Sequence, residues 1–282
     1  MSVGGVTVAA TELDGVLTDR DMSHIVRLVY EKSGITLHEG KKPLVVARLQ
    51  KRLDALSLES YGEYLTYVDQ DRTGEEVVAL VDAIVTDHTY FDCEEQHFAM
   101  LADRVAPEAR RRRTPLDVWC AAASTGEEAY AIAMTLAGLQ PPIAFSLMAS
   151  DISAKALNVA QAGFYKMESV DAMHAETLRR FFERGFGESA GLVRVRKALR
   201  DSVEYRQLNV LEIDSLDRMF DVIFCRNLMI YFDDTVQQRV VAMLERHLRP
   251  GGYLFVSHSE SLYGIDHGLR WIAPAAYQAE AQ

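Results

Sequence analysis

The sequence predicts an α/β protein in which a small helical domain precedes a largely parallel, doubly wound sheet. In the second half of the chain, short apolar runs alternate with helical patterns, which is typical of parallel sheets covered by helices on both faces. The first eighty-odd residues show only helical periodicity. Of the 282 residues, 49% are hydrophobic and 25% are charged, which is ordinary for a globular protein that buries a substantial core.

Four apolar patterns predict the helical domain. The stretch "SHIVRLVYEKSG" has apolar residues at helical spacing and stops at Gly34, and "KKPLVVARLQKRLDALSLES" is a second helix that opens at Pro43. The stretches "YGEYLTYV" and "EEVVALVDAIV" supply two further helical segments. These patterns indicate that the first eighty-odd residues form a helical domain.

Five short apolar runs are the predicted strands of the sheet. They are LDVWCA (116–121), IAFSLMA (143–149), VEYRQL (203–208), DVIFC (221–225) and YLFVS (253–257). Their order in the chain, with helical patterns between them, predicts parallel strands that all point their carboxyl ends at one edge of the sheet.

Charge and cysteine content exclude several classes of function. The net charge of -11 argues against indiscriminate binding to nucleic acid or to an anionic membrane. The first residues show no basic region followed by an apolar stretch, and no apolar run reaches membrane-spanning length. The three cysteines, Cys93, Cys120 and Cys225, are far apart and form no CxxC pair. We therefore expect a cytoplasmic protein with reduced thiols, no metal site and no membrane insertion.

The turn after the first predicted strand carries acidic residues where a nucleotide-binding turn would hold a phosphate. In "VWCAAASTGEEAYAIAMTL", one glycine, Gly126, is followed by Glu127 and Glu128. Two carboxylates repel a pyrophosphate, so a cofactor with a positive amino group, such as S-adenosylmethionine, fits better than NAD or ATP. Helix capping stays an alternative, because Ser124 and Thr125 each stand three residues before a glutamate.

Polar residues also follow the next three predicted strands. Asp151 ends the second strand about 25 residues beyond Gly126, where α/β nucleotide folds place the acid that binds the ribose hydroxyls, although an aspartate there can also cap a helix. Asn209 follows the third strand, and Arg226 and Asn227 follow the fourth. Because these carboxyl ends share one edge of the sheet, we expect a single ligand pocket there.

The stretches "AAASTGEEAYAIAMTL", "ASDIS", "FDVIFCRNLMIYFD" and "LRPGGYLFVSHSESL" closely resemble the CheR family of bacterial chemoreceptor methyltransferases, over roughly residues 20–278. The resemblance implies that residues 1–85 form an all-α receptor-recognition domain and that residues 86–282 form a Rossmann-like methyltransferase domain. It also implies a small antiparallel β-subdomain inserted at about 163–207. The implied reaction transfers a methyl group from S-adenosylmethionine to glutamate side chains of a receptor's cytoplasmic helical domain, leaving S-adenosylhomocysteine.

Carried over position by position, the resemblance implies a cofactor site. Glu128 would hold the methionine amino end, Asp151 would hold the ribose, and Asn209 and Val210 would flank the adenine. The remaining implied cofactor residues are Asp87, Thr89, Cys93, Ala123, Arg226 and Asn227. Tyr231 would lie beside the transferred methyl group, with Arg226 as the second catalytic residue, unless Tyr231 is only a packed aromatic at a strand-to-helix bend.

The linker before the first strand departs from the family pattern T-N-x-T-x-F-F-R-E. In "TDHTYFDCE", Asp87, Asp92 and Cys93 stand where the pattern has Asn, Phe and Arg. Losing a cation and adding a carboxylate disfavours an anionic acceptor. Either the enzyme still methylates glutamate with help from another cation such as Arg226, or it is a regulator that binds the cofactor without transferring its methyl group.

Two surfaces are candidates for partner binding. Five basic residues, with no acidic residue among them, lie in the stretch 41–52; they are Lys41, Lys42, Arg48, Lys51 and Arg52. The resemblance implies that this face docks onto an acidic receptor helix, whereas a solvated helix side is the alternative. The stretch Leu192–Arg196 alternates apolar and basic residues and either binds a receptor tail peptide by strand addition or is a plain sheet excursion. The implied partner is thus a chemoreceptor, not nucleic acid, and the enzyme is expected to be a monomer.

Overall fold

The computed structural model of this protein describes residues 16–85, 91 and 95–281. Their backbone divides into two units. The first unit comprises the described residues up to Lys32 together with Leu37–Val85. The second unit comprises Ser33–Thr36 and the described residues from 91 onward, so a single boundary at residue 85 does not account for the short stretch Ser33–Thr36.

The first unit is helical. Its described α-helices are α1 (Asp19–Ser33), α2 (Lys42–Leu56), α3 (Tyr61–Gln70) and α4 (Glu75–Val85), and a 3₁₀ turn, Glu39–Lys41, precedes α2. Helix α1 begins at a reciprocal cap, because Thr18 Oγ1 accepts the Asp21 N–H at 3.1 Å and Asp21 Oδ2 accepts the Thr18 N–H at 3.1 Å. Val45, Leu49 and Leu53 are all buried, so one apolar face of α2 packs inward, in agreement with the helical pattern of "KKPLVVARLQKRLDALSLES".

One basic residue of α2 belongs to a buried network of the first unit. Arg52 donates from Nε to Glu76 Oε1 at 2.7 Å, and a second guanidinium N–H donates to Glu76 Oε2. The Tyr64 hydroxyl donates to Glu76 Oε1 at 2.9 Å, and the carboxylate is only 6% exposed. The hydrogen bond to Glu76 raises the pKa of the Arg52 guanidinium. Arg52 therefore stabilises this unit, whatever further contact its exposed part makes.

The second unit combines helices with two sheets. Its described α-helices are α5 (Glu95–Met100), α6 (Ala106–Arg112), α7 (Glu127–Gly138), α8 (Ala154–Ala162), α9 (Ala175–Phe181), α10 (Lys197–Arg200) and α11 (Asp234–Arg246). Its described strands are β1 (Leu116–Ala121), β2 (Phe145–Asp151), β3 (Phe164–Lys166), β4 (Phe182–Arg184), β5 (Leu192–Val195), β6 (Val203–Gln207), β7 (Phe220–Cys225), β8 (Leu248–Phe255), β9 (Arg270–Ala273) and β10 (Ala276–Gln278). A π-helical turn, Leu101–Val105, joins α5 to α6.

The larger sheet has seven strands in the order β6–β2–β1–β7–β8–β10–β9. The first five are parallel, whereas β10 is antiparallel to both β8 and β9. The predicted α/β class with a doubly wound sheet is thereby confirmed. From β1 the chain first adds β2 and β6 on one side of β1, and it later adds β7 and β8 on the other side. The strand order therefore reverses beside β1. Ligands of such sheets bind outside the carboxyl ends of the strands at this reversal.

The smaller sheet is the antiparallel insertion that the resemblance implied. Its three strands are ordered β3–β5–β4, with Tyr165 paired to Val193 and Glu183 paired to Arg194. All three lie between β2 and β6 in the chain, and β6 itself belongs to the larger sheet, as predicted for "VEYRQL". The insertion therefore leaves and rejoins the larger sheet without interrupting it.

Buried side chains fill the larger sheet on both faces. All positions of β7 are buried, and Trp119 in β1 is fully buried with its Nε1 donating to Ser150 Oγ at 2.8 Å. Within the described residues, Cys120 and Cys225 are buried thiols, no group of possible metal ligands occurs, and no helix has the length and apolarity needed to cross a membrane.

Candidate active site

The turn between β1 and α7 is held in an uncommon backbone conformation. Ala122, Ser124 and Gly126 have φ angles of 59°, 49° and 96°, in the left-handed region that residues other than glycine rarely adopt. A Cβ atom at position 126 would lie 2.6 Å from the Ala160 Cβ, so only glycine fits there. Because such conformations persist only where the surroundings enforce them, the turn is a pre-organised part of the molecule.

Asp151 holds this turn from the end of β2. Its Oδ2 accepts the Ser124 N–H at 2.8 Å, and its Oδ1 accepts the Ser153 N–H at 2.9 Å. The second bond is a local turn before α8 and not a helix cap, because the N-cap of α8 is Ser153, whose own side chain accepts the Ala156 N–H. Asp151 thus anchors the turn, and its carboxylate is the type of group that accepts hydrogen bonds from ribose hydroxyls.

Glu128 forms a largely buried ion pair with Arg226. Arg226 Nη1 donates to Glu128 Oε1 at 2.6 Å, and the two side chains are 5% and 12% exposed. The Cys120 thiol donates to Glu128 Oε2 at 3.6 Å. The pair joins the first turn of α7 to the residue that follows β7. Glu128 is thus fixed in one orientation, in which it can also accept hydrogen bonds from an ammonium group.

The helix-capping alternative for the acidic turn does not fit the geometry. Helix α7 begins at Glu127, and its N-cap is Gly126, which has no side chain to cap it. The Thr125 hydroxyl instead donates to Glu127 Oε2 at 2.7 Å. Neither Ser124 nor Thr125 therefore occupies the cap position that their spacing suggested.

Arg226 is buried beside Glu128, which bears on its two predicted roles, in the cofactor pocket and in catalysis. Its guanidinium faces Glu128 in the interior, and the residue is 6% exposed. That geometry supports its predicted place in the cofactor pocket. It favours Arg226 less as the cation that would guide an acceptor carboxylate, because the charge of Glu128 already offsets it. A direct catalytic role for Arg226 stays a prediction.

The residues predicted for the adenine side follow β6. Asn209 Oδ1 accepts the Leu211 N–H at 3.0 Å and thereby starts a 3₁₀ helix at Val210. Both residues are half-buried at the same edge of the sheet as Asp151, which pairs with Gln207 in the neighbouring strand. Ala123 also lies at this edge, where its N–H donates to the Ser150 carbonyl at 2.8 Å.

A buried carboxylate that the sequence analysis did not select organises the loop after β7. Glu260 Oε2 accepts the N–H groups of Asn227 at 3.1 Å and Ser257 at 2.8 Å, and Oε1 accepts the Met229 N–H at 2.8 Å. Burial raises the pKa of Glu260, although these hydrogen bonds oppose the shift. Glu260 lies five residues beyond the end of β8, so the rule that selected Asp151 at the last position of β2 does not reach it.

Tyr231 lies in the short 3₁₀ helix that this loop enters, Met229–Tyr231. Its carbonyl accepts the Thr36 N–H at 2.8 Å, and the next residue, Phe232, bridges to Ile35. The backbone at the predicted methyl-transfer position is therefore fixed from the Ser33–Thr36 stretch as well as by Glu260. The role of the Tyr231 ring stays a prediction.

Three predicted cofactor residues, Asp87, Thr89 and Cys93, lie outside the described residues, and their roles stay predictions. Phe91 of the same motif is described. It is 7% exposed, and its ring packs edge-on against Tyr165 at 4.9 Å between centroids.

The donor and acceptor set at this edge fits S-adenosylmethionine. Glu128 can offer a negative charge to an amino group and Asp151 can offer acceptors to ribose hydroxyls, while Asn209 and Val210 follow the neighbouring strand at the same edge. The turn has one glycine and two carboxylates in place of the glycine-rich amides that bind a pyrophosphate. Charge and topology together therefore favour a positively charged nucleoside cofactor over a dinucleotide.

Comparison with known proteins agrees with this geometry. Residues 87–275 match the family model described as the CheR methyltransferase SAM-binding domain, and residues 20–85 match the CheR methyltransferase all-alpha domain. Chemotaxis protein methyltransferase 2 of Pseudomonas aeruginosa is 42% identical over 265 residues, which cover 92% of this chain and 93% of that protein. The chemotaxis protein methyltransferase of Salmonella typhimurium is 40% identical over 252 residues (88% and 86%), and that of Escherichia coli is 41% identical over 253 residues (89% and 87%).

Proposed function

This chain belongs to the CheR methyltransferase family, and we propose that it converts glutamate side chains of chemoreceptors to methyl esters. It is an S-adenosylmethionine-dependent methyltransferase of chemotaxis. The finer proposal is that the acceptors are glutamates on the cytoplasmic helical domain of a receptor and that their esterification serves sensory adaptation. The finer proposal is supported by the similarity to chemotaxis protein methyltransferases at 40–42% identity, whereas the acidic turn, in which Arg226 holds Glu128, supports the cofactor.

The chemistry of a glutamate acceptor suits a site built to bind and orient. A glutamate with an ordinary pKa of about 4.3 is ionised at neutral pH, so no base has to remove a proton. When bound, S-adenosylmethionine supplies an electrophilic methyl group on a sulfonium centre. What the chain contributes is alignment and exclusion of water, and the rigid backbone around Asn227 and Tyr231 supports both.

The decisive experiment is the transfer of labelled methyl from S-adenosylmethionine to a chemoreceptor cytoplasmic fragment. Label that alkali releases as methanol would identify a carboxyl methyl ester. Label that is stable to alkali would contradict a glutamate acceptor. A protein that binds S-adenosylhomocysteine in calorimetry but labels none of several receptors would favour a cofactor-binding regulator.

The regulator is the second candidate, and the sequence departure at Asp92 and Cys93 favours it. Both residues lie outside the described part of the structure. Replacing Cys93 with arginine is expected to raise turnover by about 10- to 100-fold, since one charge-assisted hydrogen bond to the acceptor contributes roughly 1.5–3 kcal/mol. Cofactor affinity should be unchanged or tighter.

Steady-state kinetics with a receptor fragment would measure this effect. Cys93→Met is the matched control, because it adds length without charge. A fall in both turnover and cofactor affinity in Cys93→Arg would contradict this account of the linker.

We also propose that the basic stretch 41–52 docks onto the receptor, mainly through Lys41 and Lys51 and not equally through all five of its basic residues. Lys42 donates to Asp19 at 2.6 Å and Arg52 is held by Glu76, whereas Lys41 and Lys51 are exposed. Arg48 is half-buried. Lys41 and Lys51 therefore provide the charges best placed to meet an acidic helix, and the alternative of a solvated helix side is tested directly.

Reversing Lys41 and Lys51 together to glutamate is expected to slow receptor methylation about tenfold at low salt, through slower association. Affinity for S-adenosylhomocysteine should not change. Reversal of Arg20 and Arg72, two exposed residues elsewhere in the first unit, alters the net charge equally and serves as the control. Equal losses in the two double variants would show a general charge effect and no docking face. Arg52 is unsuited to this test, because its reversal would place a second carboxylate beside buried Glu76.

Binding of a receptor tail peptide is a further proposal, supported by the two edge strands, β3 and β4, of the smaller sheet. Methylation of a receptor fragment with and without its tail would test it, since a plain sheet excursion predicts equal rates. We also propose that the protein is cytoplasmic, because the receptor domain that it would methylate is cytoplasmic. A monomer is a separate proposal. Sedimentation of the purified protein would test the oligomeric state.

A further inference from the structure

We propose that Tyr165 is a positioning residue, which fixes the cofactor turn from the inserted sheet and so sets the affinity for S-adenosylmethionine. Tyr165 lies in β3 and is 6% exposed. Its hydroxyl donates to the Thr125 carbonyl at 2.6 Å, across 40 residues of sequence. The inference concerns the cofactor, which the family establishes, and it does not depend on the identity of the methyl acceptor.

The bond from Tyr165 completes the anchoring of one peptide unit in the turn. The Thr125 carbonyl and the Gly126 N–H belong to the same rigid plane. The Gly126 N–H donates to the Ala123 carbonyl at 2.9 Å, and the Thr125 carbonyl accepts from Tyr165. With both ends bonded, this plane cannot rotate. Without Tyr165 the carbonyl end loses this hydrogen bond, and glycine at position 126 permits a rotation that another residue would resist.

The orientation of this plane matters because the acidic residues follow it directly. Glu127 and Glu128 open α7 immediately after Gly126, the N-cap of that helix. A rotated Thr125–Gly126 unit would redirect the first turn of the helix, and with it the carboxylate that Arg226 holds for the cofactor. Fixing the turn before binding avoids an ordering cost that the cofactor would otherwise meet.

Aromatic packing keeps the Tyr165 hydroxyl in place. The ring of Phe91 packs edge-on at 4.9 Å between centroids, and the ring of Tyr130 does so at 6.2 Å. The Tyr165 oxygen lies 3.1 Å from where a Cβ of residue 126 would be, so it stands directly against the turn. Burial, and then the charge of Glu127, raise the pKa of Tyr165, so its hydroxyl keeps the proton that it donates.

The chain supplies a closely matched control. Tyr130 is also a buried tyrosine, and its hydroxyl also donates to a backbone carbonyl at 2.6 Å, but the acceptor is Ala160 in α8. Tyr165→Phe and Tyr130→Phe each remove one oxygen and keep the ring. A general loss of packing or stability would affect both variants alike, whereas loss of the turn anchor belongs only to Tyr165→Phe.

Calorimetric titration of S-adenosylhomocysteine into the full chain is the test. We expect Kd to rise about three- to tenfold in Tyr165→Phe, the scale of one net hydrogen bond, and less than about twofold in Tyr130→Phe. In the ligand-free protein, hydrogen exchange of the amides at Ser124–Glu128 should be faster in Tyr165→Phe alone.

Each outcome decides the proposal. An unchanged Kd in Tyr165→Phe would overturn it, as would equal rises in the two variants. Failure of Tyr165→Phe to fold while Tyr130→Phe folds would also overturn it, because the hydroxyl would then serve the fold and not the turn. Failure of the unsubstituted protein to bind S-adenosylhomocysteine would be a different result, which contradicts the cofactor itself.

Discussion

Replacing Glu260 with leucine is expected to lower the free energy of unfolding by about 3–5 kcal/mol, because buried backbone N–H groups lose their acceptor. Glu260 accepts from Asn227, Met229 and Ser257, in loops that follow two neighbouring strands. Asn227 has a φ of 56°, a conformation that the surroundings must enforce. Methyl transfer should fall with the loss of this loop geometry even where the variant remains folded.

Denaturant unfolding would measure the change, with Glu245→Leu as the control. Glu245 is a half-buried carboxylate that accepts one backbone N–H, that of Gly268 at 3.0 Å, in the segment that follows β8. Its replacement should cost no more than about 1 kcal/mol. If the two variants lost similar stability, the three hydrogen bonds of Glu260 would not be the cause.

The raised pKa of Glu260 gives this prediction a pH dependence. Between the ordinary pKa of a glutamate and the raised value, the folded protein binds the proton more tightly than the unfolded chain does. The contribution of Glu260 to stability is therefore greatest below that window and decreases as pH rises through it. Glu260→Gln removes the titration, so the difference in unfolding free energy between the native protein and this variant should decrease over the same window. A difference that increased with pH would contradict the sign.

Glu128→Gln is expected to weaken binding of S-adenosylhomocysteine about 30-fold, since a charge-assisted hydrogen bond contributes roughly 2 kcal/mol. The variant keeps the shape of the side chain but loses the charge proposed to hold the amino group. It also leaves the Arg226 guanidinium, with a side chain only 5% exposed, beside a neutral partner. Calorimetry would give the affinity, and thermal unfolding would report the separate cost in stability.

The ligand supplies the control for this prediction. Methylthioadenosine carries the same nucleoside but lacks the amino-acid end, so its affinity should change less than about threefold in Glu128→Gln. Asp151→Ala, in contrast, should weaken both ligands, because Asp151 is proposed to contact the ribose that they share and also anchors the turn through Ser124. Equal weakening of both ligands by Glu128→Gln would place Glu128 away from the amino end.

The sequence predicted the parts of this molecule that follow from periodicity and strand ends. The parallel strands β1, β2, β7 and β8 appear as apolar runs, because inner parallel strands are buried on both faces, whereas the edge strand β6 is mostly exposed. The short antiparallel strands β9 and β10 were missed, because their sequences, RWIA and AYQ, are too brief to show a pattern. Asp151 and Arg226 were selected as site residues because polar residues at the ends of parallel strands share one edge, and their roles stay predictions.

What the sequence could not show is which partner each polar side chain takes. Arg52 shares a helix face with Arg48 and Lys51, yet its partner Glu76 lies 24 residues away on another helix, where no spacing rule reaches it. Tyr165 bonds a backbone carbonyl, which leaves no trace in residue identity. Polar partners that are distant in sequence depend on how the elements pack, so only the folded structure shows them.

The Ser33–Thr36 stretch limits where the gene of such a protein could be cut and joined to the gene of a relative. Ile35, which is 3% exposed, bridges to Phe232, and Gly34 lies so close to Leu211 and Val236 that a Cβ there would collide with Leu211. The unit that binds the cofactor is therefore not a contiguous piece of polypeptide. A gene fusion joined at residue 85 would separate it from part of its own interior. In an exchange of the helical region between relatives, these four residues would have to match the second unit that they pack into. Domain shuffling at that boundary is therefore constrained.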